Sequence, residues 1–274
     1  MLEGYKRIAL ASALLTLPGA LPVALSVALP FAAAAAHAAE AAAEPAPRNA
    51  DGRVLISFAP GQPKGLWVTD YSTGIPFFNV DDIQFKPWAK GLFDARQTHD
   101  LEPHARCKVS GAIRQFLTPY GVEILEIAAL NRVMIFDIGG PHSYREVFMD
   151  GREHPADFEP TNYGHNVGWW EGDTLVIDSV GYNTDFWFER MGLPHTESVH
   201  VREYLTRVDK NRIDYRFVME DPLTYDAPVE GQLRLNWREG EELFEFICQQ
   251  ANYAPELMVN EDKQAIGRQS PIVP

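Results

Sequence analysis

The chain has 274 residues and a formal net charge of −14, with 38 acidic against 24 basic side chains. Contacts to phosphate need clustered Lys and Arg, so this balance argues against a nucleic-acid partner. Only two cysteines occur, Cys107 and Cys248, and they form no C-x-x-C redox or zinc pattern.

Lys6 and Arg7 precede a charge-free run from Ile8 to Ala36 that ends in small residues around Ala36, His37 and Ala38. A basic start, an apolar middle and an A-x-A site describe a cleavable export signal over residues 1–39. The rival is a retained anchor, because the run is long enough to span a bilayer. Pro18, Pro22 and Pro30 interrupt it as one helix, and no cysteine follows it to carry a lipid. Residues 40–53, rich in Ala, Glu, Pro and Asn, read as a flexible leader. Residues 54–274 then form a single domain, long enough for one well-filled core. The expected location is periplasmic or secreted, with no stable membrane insertion after cleavage.

Along the domain, helical periodicity is scarce and alternation with turn punctuation recurs. Strands are expected over 54–58, 66–70, 121–127, 132–137 and 144–149. A hairpin joins 165–170 to 174–180 across Glu171, Gly172 and Asp173, with Leu175, Ile177 and Ser179 on one side and Val176, Asp178 and Val180 on the other. A second joins 202–208 to 212–219, and a third pairs 232–237 with 242–248. The less regular stretch 81–105 is expected to hold a short helix or a lid. About nine to eleven short strands at this spacing predict an all-β fold. Serial hairpins favour an up-and-down, lipocalin-like antiparallel β-barrel, whose closure removes exposed edges; a two-sheet sandwich is the alternative.

In an oxidising compartment an even cysteine pair closes a disulfide, so Cys107 and Cys248 are expected to tie an early loop to the last strand. By the chain-entropy argument a loop this long is worth about 4 to 5 kcal/mol. Two buried free thiols are the alternative.

After His37, seven histidines remain of the chain's eight: His99, His104, His142, His154, His165, His195 and His200. Five fall between 142 and 200, among many carboxylates, and imidazole with carboxylate moves protons near neutral pH. His195 and His200 lie five apart, which is not the H-E-x-x-H spacing of a zinc helix. Glu197 and His200 have the E-x-x-H spacing of di-iron bundles, but those need four helices and a second motif. A mononuclear site from separated histidines stays open. No G-x-S-x-G elbow, G-x-G-x-x-G turn or P-loop occurs, and no cofactor is expected.

Strand alternation puts His200, Arg202 and Tyr204 on one face and Val199, Val201, Glu203 and Leu205 on the other. Pro194 leaves His195 and Glu197 on a loop, where they are expected to meet a ligand at a barrel mouth with His200 just inside it. The plainer reading makes His195 and Glu197 solvated loop residues and gives His200 a bond to a neighbouring strand. In the stretch 149–155, Arg152 and His154 project from the Asp150-Gly151 turn, and Arg152 suits a carboxylate or phenolate. Gly164 and Gly168 bracket His165 and allow close backbone approach. Tyr163, Trp187 and Tyr225 are the aromatic candidates for a pocket that takes a small apolar or aromatic molecule.

The blocks MDGREHP, GHNVGWWEGDTLVIDSVGYN and PHTESVHVREYLTRVD, in this order, resemble those of a broad group of exported bacterial proteins. The resemblance covers about residues 144–222. Residue match carries the group's recurrent polar positions to Asp150, Arg152, His154, His165, Glu171, Asp173, His195, Glu197 and His200, of which Glu171 and Asp173 already belong to a hairpin turn. A C-x-E-x-N block tends to follow in that group; here Gln250 stands where the acid would be.

The favoured function is cofactor-free acid–base chemistry of lyase, dehydratase, isomerase or cyclase type. His165, His195 and His200 would exchange protons, Glu197 would orient a histidine and Arg152 would hold an oxyanion. The alternatives are a binding protein with the same pocket and no turnover, or a metal-dependent enzyme using His165, His195 and His200.

Overall fold

The computed structural model describes residues 43–248, apart from 60, 74–76, 99 and 140. The expected export signal, His99 and Gln250 lie outside the described residues. Nine strands form one closed barrel in sequence order: β1 (Gly65–Thr69), β2 (Val122–Ile127), β3 (Arg132–Asp137), β4 (Ser143–Phe148), β5 (His165–Glu171), β6 (Thr174–Val180), β7 (His200–Asp209), β8 (Arg212–Glu220) and β9 (Val229–Glu239). Among the described residues there is one α-helix, α1 (Pro87–Arg96), within the stretch 81–105 expected to hold a short helix or a lid. Pro87 suits its first turn, and it buries Ala89 and Phe93 on one side. Burying a side chain such as Phe93 stabilises by roughly 1.5 to 3 kcal/mol.

The strands are those that alternation marks. Along β8, Ile213, Tyr215, Phe217 and Met219 are buried and the residues between them are more open. Leu175 and Ile177 of β6 join the same core, beneath Val201 and Leu205 of β7. A 3-10 turn at Ile113–Leu117 closes one end, with Phe116 4.8 Å from Tyr215 and its carbonyl accepting from Thr69 Oγ1. The inward face is thus filled by side chains rather than left as a wide cavity.

One feature departs from the antiparallel expectation. Strands that alternate in direction around a closed ring must be even in number, so nine leave one neighbouring pair parallel. That pair is β4 and β5, which meet only at Phe148 and Val167, and residues 149–164 carry the chain back across the barrel. β1 and β2 also meet at one pair, Trp67 and Val122. All other ladders are longer, so β2–β4 and β5–β9 with β1 are two curved sheets joined at two short seams.

Two expected strands are absent. Residues 54–58 make only the Arg48–Val54 bridge, and the carbonyls of Leu55 and Ser57 accept from Arg207 Nη1 instead. Residues 242–248 form no strand because β9 pairs with β8 on one edge and β1 on the other, which leaves them no edge to join. Residues 43–53, read from composition as leader, are held to the barrel by Lys210 N–H to the Glu44 carbonyl (2.8 Å) and the Arg48–Asp173 ion pair (2.6 Å). Cys107 and Cys248 form the disulfide, with a Cα–Cα distance of 5.7 Å. It therefore anchors the segment after the last strand rather than the strand itself. Among the described residues no helix is long and apolar enough to cross a membrane.

Candidate functional site

β6 carries acceptors to both faces of the wall at adjacent positions. Ser179 points inward with the core residues Leu175 and Ile177, so Asp178 points outward. Register sets Asp178 opposite Val167 of β5 and opposite Arg202 of β7. His165 and His200 sit two residues from those partners on the same outer face.

Asp178 becomes the hub of this face. Its Oδ1 accepts from His200 Nε2 at 2.8 Å and Arg202 Nε at 2.9 Å, and its Oδ2 from His154 Nε2 at 3.2 Å. Burial works to raise the Asp178 pKa, but these hydrogen bonds and neighbouring cations outweigh it and hold the carboxyl well below the usual range. His154 Nδ1 lies 2.8 Å from His165 Nδ1. Only one of those two nitrogens can carry the proton between them. In the tautomer that gives the one N–H of His154 to Asp178 through Nε2, His154 Nδ1 accepts and His165 Nδ1–H donates. The His165 ring stacks on Phe148 at 5.0 Å, and its pKa is lowered by burial and by the nearby His154 and Arg152.

The other end of the array opens on a cleft of about 400 Å³ lined by Ser198, His200, Glu220, Asp221, Tyr225 and Pro228. Asp178 takes His200 Nε2–H, leaving His200 Nδ1 on the side of Glu220, whose Oε2 lies 3.7 Å away. The cleft wall is fixed: Tyr225 donates to the Pro194 carbonyl at 2.6 Å, and Asp221 accepts from Thr196 N at 2.6 Å and Thr224 Oγ1 at 2.7 Å.

The structure thus joins His154, His165 and His200 through Asp178 and sets Tyr225 in the cleft with His200. It places the other expected residues elsewhere. His195 is buried between Phe186 (4.9 Å) and Phe188 (4.6 Å), with Nε2 donating to the Asn183 carbonyl at 2.8 Å. Burial pushes its pKa down to about 4, against that hydrogen bond. Glu197 is an exposed loop residue. Arg152 is engaged by Asp150, at 2.6 Å, and lies 3.9 Å over the Phe148 ring. Trp187 is buried beneath the Arg96 guanidinium, 4.8 Å from its ring. Tyr163 bonds Ser143 Oγ at 2.7 Å and Asp137 Oδ2 at 3.4 Å, in a partly buried chain of polar groups that Ser110 continues to His104. His200 does not lie inside a mouth; it faces outward, because Val201 and Leu205 hold the inward face of β7.

Sequence reasoning missed Asp178 and Arg202 as members of the site. The available signal was one acid within the apolar strand TLVIDSV, on the face that Arg202 and His200 share across the next ladder.

Inside the wall a second network is fully enclosed. Arg145 Nε donates to Asn166 Oδ1 (2.9 Å), Nη2 donates to Ser179 Oγ (2.9 Å) and to Glu203, and Glu203 also accepts from Tyr215 OH at 2.8 Å. Asn166 Nδ2 donates to the Glu146 carbonyl at 3.0 Å, so side chains bridge the β4/β5 seam where backbone pairing is missing. Among the described residues no three of His, Cys, Asp and Glu are arranged to hold a metal ion. The chain matches no family model, no curated protein and no solved structure.

Proposed function

We propose that this is an exported acid–base enzyme, of lyase, dehydratase, isomerase or cyclase type, acting without a cofactor on a small molecule with an apolar or aromatic face. The reaction would take place at the outer cleft of the barrel rather than in its interior. The observation that carries the reading is the orientation of His200: a carboxylate holds its Nε2–H and so leaves Nδ1 as the proton-exchanging atom beside the cleft. Tyr225, Ala227 and Pro228 offer apolar surface to the substrate, and Glu220 and Asp221 offer polar contacts. Through His154, Asp178 is also linked to His165, so a proton taken by His200 is stabilised by a shared, strongly ionised carboxylate. The disulfide is compatible with action in an oxidising compartment, as the expected export signal would require.

The openness of the face favours a second reading, a binding protein without turnover, since His200 keeps 30% of its side chain exposed and the described residues form no water-excluding enclosure around it. Incubation with a panel of small aromatic and terpenoid compounds, followed by mass spectrometry, separates the two. Conversion that falls by about 10² to 10⁴ in His200→Ala and Asp178→Asn supports catalysis. Conversion unchanged in His200→Ala would sink it, and saturable binding with every compound recovered intact would establish the second reading.

A further inference from the structure

The cleft beside His200 is walled by charge of one sign. Glu220, Asp221 and Asp226 line it, and among the described residues no Lys or Arg does. Asp226 is paired with Lys86, which stands outside the wall. Arg202, on the same face of β7 as His200, is committed to Asp178 at 2.9 Å. Two of the three carboxylates, Glu220 and Asp221, are therefore left without a Lys or Arg partner among the described residues.

The two play different parts. Asp221 is buried and accepts from neutral donors: Thr196 N at 2.6 Å, Thr196 Oγ1 at 3.0 Å, Thr224 Oγ1 at 2.7 Å and Leu223 N at 3.1 Å. Those donors orient the carboxylate without cancelling its charge, so it reaches a ligand through its field. Glu220 ends β8 directly opposite His200 in the ladder, and its side chain is exposed. Its Oε2 lies 3.7 Å from His200 Nδ1, too far for a hydrogen bond between them. In the tautomer that gives the one N–H of His200 to Asp178 through Nε2, Nδ1 is an acceptor. Two acceptors thus face each other across a gap that a donor atom can bridge. An ammonium has three N–H donors and can serve both; a hydroxyl has one donor, and a carboxylate has none. Pro222, Ala227 and Pro228 supply the apolar part of the same cleft.

We propose that the His200 cleft selects a protonated primary amine with an apolar body, its ammonium bridging Glu220 Oε2 and His200 Nδ1 and its body lying against Pro222, Ala227 and Pro228. The inference names the substrate class of the site already described, and it rests on the orientation of His200 from which the acid–base reading was drawn. The cleft and the facing acceptors make the site; the two carboxylates without cations fix the sign of the charge it takes.

Isothermal titration of the disulfide-bonded protein at pH 7 with 2-naphthylmethylamine, uncharged 2-naphthalenemethanol and anionic 2-naphthoate tests the proposal. The amine is expected to bind about fivefold or more tightly than the alcohol, with the acid weakest, and its advantage should shrink as salt is raised. Glu220→Gln should remove most of that advantage. Glu197→Gln, at an exposed acid on the neighbouring loop outside the cleft wall, should keep it. Because the amine-to-alcohol ratio is read first in the unmodified protein, a variant that folds poorly does not decide the matter. No saturable binding of the amine, equal affinity for amine and alcohol, or an advantage unchanged in Glu220→Gln would overturn it. Conversion of the same compounds, followed by mass spectrometry, separates this inference from the acid–base reading. An amine preference with every compound recovered intact supports the ligand class and removes the chemistry. Conversion that needs His200 but is confined to uncharged or anionic compounds supports the chemistry and removes the ligand class.

Discussion

Asp137 and Asp178 are both aspartates on barrel strands, and their acidities are displaced in opposite directions. Asp137 faces inward near the end of β3, where burial raises its pKa to about 6, against hydrogen bonds from Ser110, Gly139 and Tyr163. Asp178 faces outward, where His200, Arg202 and His154 overcome the effect of burial and hold it well below the ordinary value. Hydroxyl and amide donors, even with the charge of Arg114 acting in the same direction, do not offset burial at Asp137, while two imidazoles and a guanidinium bonded directly to Asp178 make ionisation its resting state. The outward wall is the one built for proton exchange with solvent; the inward wall is built to enclose charge.

The largest effect is expected where enclosure is complete. Arg145 and Glu203 are an ion pair with no exposed side-chain surface. Arg145→Met would strand the Glu203 carboxylate and is expected to cost about 3 to 5 kcal/mol in urea unfolding. Replacing both, as Arg145→Met with Glu203→Leu, should recover much of that loss. If the single and double variants are equally unstable, the network is set by packing and not by charge.

Next in size is the outward carboxylate. Asp178→Asn removes the charged acceptor of three donors and is expected to cost about 1.5 to 3 kcal/mol at pH 7. The folded pKa lies below the unfolded value of about 3.9, so Asp178 contributes stability that is full above that value and is lost as pH falls through the folded pKa. The difference between wild type and Asp178→Asn should therefore shrink towards pH 2. A difference that stays constant from pH 7 to pH 2 would show that the charge contributes nothing.

Much of the barrel was legible because its walls largely obey the two-residue period: β8 buries Ile213, Tyr215, Phe217 and Met219, and β6 buries Leu175, Ile177 and Ser179, although Val176 of its other face is buried as well. What the period does not carry is which edges meet. Residues 242–248 are as apolar as a strand, with Leu243, Phe244, Phe246 and Ile247, but closure of β9 on β1 had already used the edge they needed. Strand directions also hid the parallel pair, which follows from the count of nine and not from any local residue. For the site, the three histidines His154, His165 and His200 were visible as a cluster, but the hub was not, because Asp178 gathers its partners from β7 and from the crossover 149–164. His195 misled for a local reason. Its neighbours Phe186 and Phe188 cover the ring, and the aromatic run that precedes it in sequence is what buries it.

A smaller effect pits the inward aspartate against the buried histidine, because their signs are opposite. The Asp137 carboxyl has a folded pKa of about 6, above the unfolded value of about 3.9, so its contribution is full below the unfolded value and is lost as pH rises through about 6. His195, lowered to about 4 from an unfolded value near 6.5, contributes stability that is full above that value and is lost as pH falls towards 4. Over pH 4 to 6.5 the two slopes oppose each other and the wild-type profile is flattened. Asp137→Asn removes only the first, so the variant should gain on wild type as pH rises from 4.5 to 7.5, read as the shift in urea midpoint at each pH. An unchanged gap between the two midpoints across that range would mean that Asp137 ionises as readily in the fold as in the open chain, and that the two walls do not differ in the way their carboxylates are held.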